Sequence, residues 1–173
     1  MPASSPDTDT DAAKGDLDVS GPLRILGHRR GTKIDARGND RHFEIFAGPL
    51  TLRRLVLVGG RTPAEGGSVA LRAGRARLID VRMRKNRADA SGGSLYVGEE
   101  TRATLKRTQI ARSDSSDGGG MYVDGVLDGA RAQIEYNTAL SSGGGVRVGR
   151  EAELRLDRSL IGGNKAGGSG GGL

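Results

Sequence analysis

The sequence contains no Cys and no Trp, only two His, and only 3% aromatic residues. The missing Cys excludes disulfides, thiolate zinc sites and a cysteine nucleophile. The scarcity of aromatics argues against the core of an ordinary α/β enzyme. No apolar run approaches the roughly 18 residues needed to span a bilayer as a helix. No long stripe of apolar residues at helical spacing appears either. Glycine, by contrast, accounts for 30 of 173 residues, about twice the usual share of roughly 7%. Glycine is costly inside helices. A chain of this length forms one domain, and this composition points that domain toward strands and turns.

Charge is unevenly placed. Residues 1–20 carry Asp7, Asp9, Asp11, Asp16 and Asp18 against Lys14, a net of −4, within a chain whose formal net charge is +6. Most of the positive charge is Arg spread along the remainder. Such a surface attracts nucleic acid or anionic polysaccharide, but no aromatic-rich nucleic-acid motif accompanies it, so the sequence gives no strong nucleic-acid signal. Residues 1–14 have almost nothing to bury and read as a disordered acidic segment. They lack the form of a secretory signal. Asp7, Asp9, Asp11 and Asp18 alternate in part as calcium-loop ligands do. Ala12 stands where that loop needs Gly, and Asp replaces its bidentate Glu. No metal and no cofactor are expected.

The glycines reveal a repeat. Gly66-Gly67-Ser68, Gly92-Gly93-Ser94, Gly118-Gly119-Gly120, Gly143-Gly144-Gly145 and Gly170-Gly171-Gly172 start 26, 26, 25 and 27 residues apart. Each is followed by Val69, Leu95, Met121, Val146 or Leu173, and in the first four units by a second apolar residue two positions on: Leu71, Val97, Val123 and Val148. That alternation is a short strand with one buried face. A second alternating run precedes each cluster: Leu50-Leu52-Leu57, Ala76-Leu78-Met83, Ala103-Leu105-Ile110, Leu127-Gly129-Ile134 and Leu154-Leu156-Ile161. Three residues after its end stands Asn86, Asn137 or Asn164, with Gly60 and Ser113 at that place in the other two units.

A unit of three short strands in about 26 residues cannot close a core alone, whereas stacked units can. The reading is an all-β, right-handed parallel β-helix over residues 15–173. Leu52, Leu78, Leu105, Gly129 and Leu156 form one interior stack; Leu57, Met83, Ile110, Ile134 and Ile161 form another. The Gly pairs supply positive φ and close approach. The Asn residues sit at a bend, tolerate the left-handed conformation and form a structural ladder of amides. Upstream, Leu17-Val19 with Leu23-Ile25, and Ile34-Asp35 with Phe43-Ile45, read as two shorter coils. The total is then about seven, the last one cut off at Leu173. An uncapped terminal coil exposes strand edges, so self-association through the C-terminal coil is expected.

The opening runs Gly15-Asp16-Leu17-Asp18-Val19, Thr32-Lys33-Ile34-Asp35-Ala36-Arg37-Gly38 and Asp40-Arg41-His42-Phe43 resemble the first coils of bacterial right-handed parallel β-helix repeat proteins. The later units resemble the Gly-Gly and Asn repeats of polymorphic outer-membrane and autotransporter-like surface proteins: Lys85-Asn86-Arg87-Ala88, Tyr136-Asn137-Thr138-Ala139 and Gly163-Asn164-Lys165-Ala166, each ahead of its glycine cluster. The resemblance implies a non-catalytic scaffold or adhesin-like segment, extracellular or at the cell surface, with a polysaccharide or another surface protein as partner. A signal sequence and a C-terminal barrel, usual in that group, are not expected within residues 1–173.

Pectate lyases and polysaccharide hydrolases share the β-helix, and they make the competing expectation an enzyme or its inactive remnant. Such an enzyme needs carboxylates gathered on one outward face. The columns Thr51-Arg77-Thr104-Asp128-Arg155, Val56-Arg82-Gln109-Gln133-Leu160 and Val58-Arg84-Ala111-Glu135-Gly162 gather no two acids. Asp114 and Asp117 share one loop without a basic or His partner at an equivalent place. His28 falls in a turn and His42 beside a strand, and neither carries a catalytic pattern. No catalytic residue is therefore assigned. The outward column after the Gly turn reads Ala70, Tyr96, Tyr122, Arg147. Tyr96, Tyr122 and Arg147 form the candidate ligand-binding set, since aromatic rings beside Arg stack on sugars or hold anionic chains. The same pair equally serves as a stabilising neighbour contact.

Overall fold

The computed structural model describes residues 15–173. Within them the chain winds into a right-handed parallel β-solenoid of six coils, built from strands alone. Sheet A stacks Leu17–Val19, Phe43–Ile45, Val69–Leu71, Leu95–Val97, Met121–Val123 and Val146–Val148. Sheet B stacks Leu23–Leu26, Pro49–Arg53, Arg75–Ile79, Arg102–Lys106, Val126–Ala130 and Glu153–Asp157. Sheet C stacks Thr32–Asp35, Leu55–Val58, Arg82–Arg84, Gln109–Ala111, Gln133–Glu135 and Leu160–Gly162. Five of the coils add a two-residue strand: Arg61–Thr62, Arg87–Ala88, Asp114–Ser115, Thr138–Ala139 and Lys165–Ala166 make sheet D.

The registers put the expected interior stacks in place. Leu52 pairs with Leu78, Leu78 with Leu105, Leu105 with Gly129, and Gly129 with Leu156. Leu57, Met83, Ile110, Ile134 and Ile161 pair in the same way on sheet C. Leu52, Leu78, Leu105, Leu57, Met83, Ile110 and Ile134 are all fully buried. At Gly129 the missing side chain leaves room that Leu156 fills, because a Cβ there would run into Leu156 Cδ2.

Six full coils and the start of a further one agree with the expected count of about seven with the last cut off, but two details need correction. Phe43–Ile45 opens the second coil, pairing with Leu17–Val19 before it and Val69–Leu71 after it, and Thr32–Asp35 closes the first. The start of a further turn follows, where Gly144 and Gly145 donate to the Gly170 and Gly171 carbonyls. The second correction concerns the bends. The left-handed residue is the one before each Asn column position: Gly59, Lys85, Arg112, Tyr136 and Gly163, with φ between 54° and 71°. The Asn residues themselves are not left-handed. A further left-handed corner lies between sheets B and C at Arg54, Asp80, Arg107, Arg131 and Arg158, φ 45° to 57°. A side chain at such a φ costs about 1–2 kcal/mol, so residue type gives no signal of these corners.

The paired glycines have two separate duties. The first of each pair, Gly66, Gly92, Gly118, Gly143 and Gly170, takes φ between 63° and 69°. The second is required by space: a Cβ on Gly67, Gly93, Gly119 or Gly144 would strike backbone carbonyls of the neighbouring coil.

The Asn ladder lies inside this wall. Asn86 Oδ1 accepts from Gly60 N at 2.9 Å, Asn137 Oδ1 from Ser113 N at 3.0 Å, and Asn164 Oδ1 from Asn137 N at 2.8 Å. Asn86 Nδ2 donates to Ser94 Oγ, and Asn137 Nδ2 to Ile110 O and Asn164 Oδ1. Each amide thus satisfies main-chain groups that stacking buries, which water would otherwise have to satisfy. His42 occupies the N-terminal end of the same polar line, 3.1 Å from Ser68 Oγ.

Candidate functional site

The solvent side of sheet A carries the predicted column, and the register extends it. Tyr96 pairs with Ala70 and with Tyr122, and Tyr122 with Arg147. Ala70 pairs with Glu44, and Glu44 with Asp18. The full column is Asp18, Glu44, Ala70, Tyr96, Tyr122, Arg147. This column gathers two acids, against the expectation that none does, because strand pairing places Phe43–Ile45 in the second coil and aligns Glu44 with Asp18 and Ala70.

The tyrosines are held rather than loose. Their ring centroids are 5.9 Å apart at 26°. The Arg72 guanidinium carbon lies 5.3 Å from the Tyr96 centroid. Arg72 comes from the coil before Tyr96 and Tyr122 from the coil after it, so Tyr96 is packed between a cation and a ring. Arg72 is itself fixed by Glu44 at 2.7 Å and Glu65 at 2.9 Å. Burial works against its charge, but these two carboxylates outweigh it and raise its pKa further. Burial, together with Asp124 and Glu65, pushes the Tyr96 hydroxyl up to about 12, and Tyr122 moves the same way for the same first cause. Both hydroxyls stay protonated as donors at neutral pH. At the far end Arg147 reaches Asp117 at 3.6 Å.

At the N-terminal end of the face lies a buried charge network. Asp16, Asp18 and Glu44 place carboxylate oxygens within 4.8 Å of one another. Arg41, 6% exposed, sits among them: Nη1 is 2.9 Å from Glu44 Oε1, and Nε is 3.1 Å from Asp16 Oδ2. Arg41 Nη2 also donates to Thr62 Oγ1 at 3.0 Å. Burial pushes Asp16 up to about 7 despite Arg41, with Asp40, Glu44 and Asp18 adding to the rise. Three carboxylates have the donor chemistry for a divalent cation. The guanidinium already supplies the positive charge at that place.

Other sequence candidates fall elsewhere. Asp7, Asp9 and Asp11 lie outside the described residues, and Asp18 belongs to sheet A, not to a loop. His28 is exposed in the turn leading into Thr32–Asp35. His42 is buried, its Nε2 3.3 Å from Ile34 O, and burial lowers its pKa. Asp114 points outward on sheet D, 3.6 Å from Arg87, while Asp117 accepts from Ser142 N and pairs with Arg147. Asn86, Asn137 and Asn164 face the interior ladder. Arg41, Arg72, Glu65 and Asp124 escaped the sequence reading. Arg72 alone left a trace, as the residue directly after an apolar pair of the repeat.

No protein-family model, curated protein or solved structure matches the chain. No helix of the described residues is long and apolar enough to cross a membrane.

Proposed function

We propose that this protein is a non-catalytic β-solenoid scaffold that binds a polysaccharide along the outer face of sheet A, as an adhesin-like segment of a bacterial surface or secreted protein. The observation that carries the reading is the fixed row Arg72–Tyr96–Tyr122–Arg147. It presents ring edges, two tyrosine hydroxyls held beside Asp124 and an exposed guanidinium at successive coils about 4.8 Å apart. Such pre-ordered groups bind at low entropic cost. Asp18, Glu44, Asp117 and Asp124 flank the row, so a neutral chain suits it better than a polyanion. The bacterial surface placement is supported by the resemblance of the Gly-Gly and Asn repeats.

The acid cluster favours a second reading, a hydrolase or its remnant. Asp16, with its raised pKa beside other carboxylates, has the character of a general acid. Against it, Asp16 and Glu44 are 8% and 7% exposed and Arg41 is wedged between them, which leaves no opening for a glycosidic bond.

The test is the double variant Tyr96→Ser, Tyr122→Ser against a panel of neutral polysaccharides. Loss of binding with an unchanged circular dichroism spectrum supports the scaffold reading. A parent protein that binds none of the panel defeats it. Release of reducing sugar by the parent, abolished in Asp16→Asn, would favour the hydrolase.

A further inference from the structure

A second surface lies on the corner between sheets B and C. An open groove of about 720 Å³ is lined there by Arg29, Arg30, Arg54, Arg82, Arg107 and Asp80, with five cations against one acid. Arg54, Asp80 and Arg107 occupy equivalent left-handed corners of successive coils, and Arg131 and Arg158 continue the line. In the first coil the one-residue corner is replaced by a turn, in which Gly31 N donates to His28 O at 2.8 Å. That turn brings Arg29 and Arg30 to the end of the groove.

Three features ask for an anion. Arg recurs at positions where its backbone is strained and Gly would relax it, and strain of this kind collects at functional sites. Five arginines share the groove with a single acid, an excess of like charge that is unfavourable without a counter-charge. Asp80 answers part of the charge, gripping Arg107 at 2.5 and 3.0 Å. Arg54 Nε, however, is buried with no hydrogen-bond partner among the described residues.

We infer that this groove binds an anionic polysaccharide, a chain carrying an oxyanion on its repeating sugars, along the line of corner arginines. Guanidinium forks pair with carboxylate and sulfate alike. Gln109 and Gln133, adjacent in register beside the cations, offer amides to sugar hydroxyls. The groove lining contains no aromatic side chain on which bases could stack, and among the described residues no helix or ribbon projects from it to enter a duplex groove. Both facts disfavour nucleic acid. This site is separate from sheet A and does not rest on the reading given for that face.

The test compares Arg54→Gly, Arg107→Gly with Lys85→Gly, Arg112→Gly. Both pairs remove two positive charges at left-handed corners, so both should fold with equal or higher thermal stability. The first pair lies in the groove and the second on the sheet C to sheet D corner. Probes are alginate for carboxylate, dextran sulfate for sulfate, unmodified dextran, and single-stranded and duplex DNA at physiological salt. The parent should bind alginate or dextran sulfate, whichever of the two identifies the oxyanion, and any binding of dextran should be the same in the parent and the groove pair. The groove pair should weaken that binding about tenfold, the size expected for losing two partly exposed charge pairs, and the control pair should leave it unchanged. Equal weakening by both pairs, tighter binding of DNA, or no binding of either polyanion overturns the inference. Arg54→Gln, Arg107→Gln gives the same readout if the glycine pair fails to fold.

Discussion

Asn137 offers the sharpest test of how the coils are held in register. It is fully buried. Replacing it by Ala removes the acceptor for Ser113 N and the donor to Ile110 O and Asn164 Oδ1. An orphaned buried amide costs about 1–3 kcal/mol, and each further neutral hydrogen bond about 1 kcal/mol. The sum is roughly 3–5 kcal/mol, or roughly 6–20 °C in Tm for a domain of this size. Asn137→Ser should lose about half as much, because the column already accepts a hydroxyl at Ser113, whose Oγ takes the Asn86 amide at 3.4 Å. Thermal melts of the three proteins give the ordering parent, Ser, Ala. Amide exchange at Ser113 gives the mechanism, since its protection should fall in the Ala variant. An Ala variant within 1 kcal/mol of the parent, with the Ser113 amide still protected, would refute the assignment of the ladder as the register lock.

Gly119→Ala should prevent folding or cost more than about 3 kcal/mol, because its Cβ would meet the Gly144 and Thr138 carbonyls, which are backbone and cannot move aside; a soluble variant melting near the parent would contradict the close approach. Asp16 has its folded pKa raised from 3.8 to about 7, so its contribution to stability is full below the unfolded value and is lost as pH rises from about 4 to 7. Asp16→Asn should therefore gain on the parent across that window by a few kcal/mol, read from urea midpoints at pH 4.5 and pH 8, and a constant difference between the two proteins would exclude the coupling. His42 has the opposite slope: burial lowers its pKa below 6.5, so its stabilisation is lost as pH falls through about 6.5. With the Asp16 carboxyl replaced, the Asn variant should weaken between pH 7 and pH 5.

The spacing of the glycine clusters and the two-residue alternation around them determined the solenoid, its interior stacks and its Asn column. These are local, repeated signals: a buried position recurs every 25 to 27 residues, and a one-residue slip would turn a whole strand inside out. The first two coils lack the Gly-Gly mark, and there the pattern did not assign Phe43 to its coil. Glu44 and Asp18 joined the tyrosine column only through strand pairing. The burial of Arg41 among three carboxylates likewise depends on contacts between coils, which no periodicity encodes. The corner arginines are the plainest case. Nothing in an Arg residue announces a left-handed φ; the stacking of one coil on the next imposes it, and in doing so lines up the cations that make the basic groove.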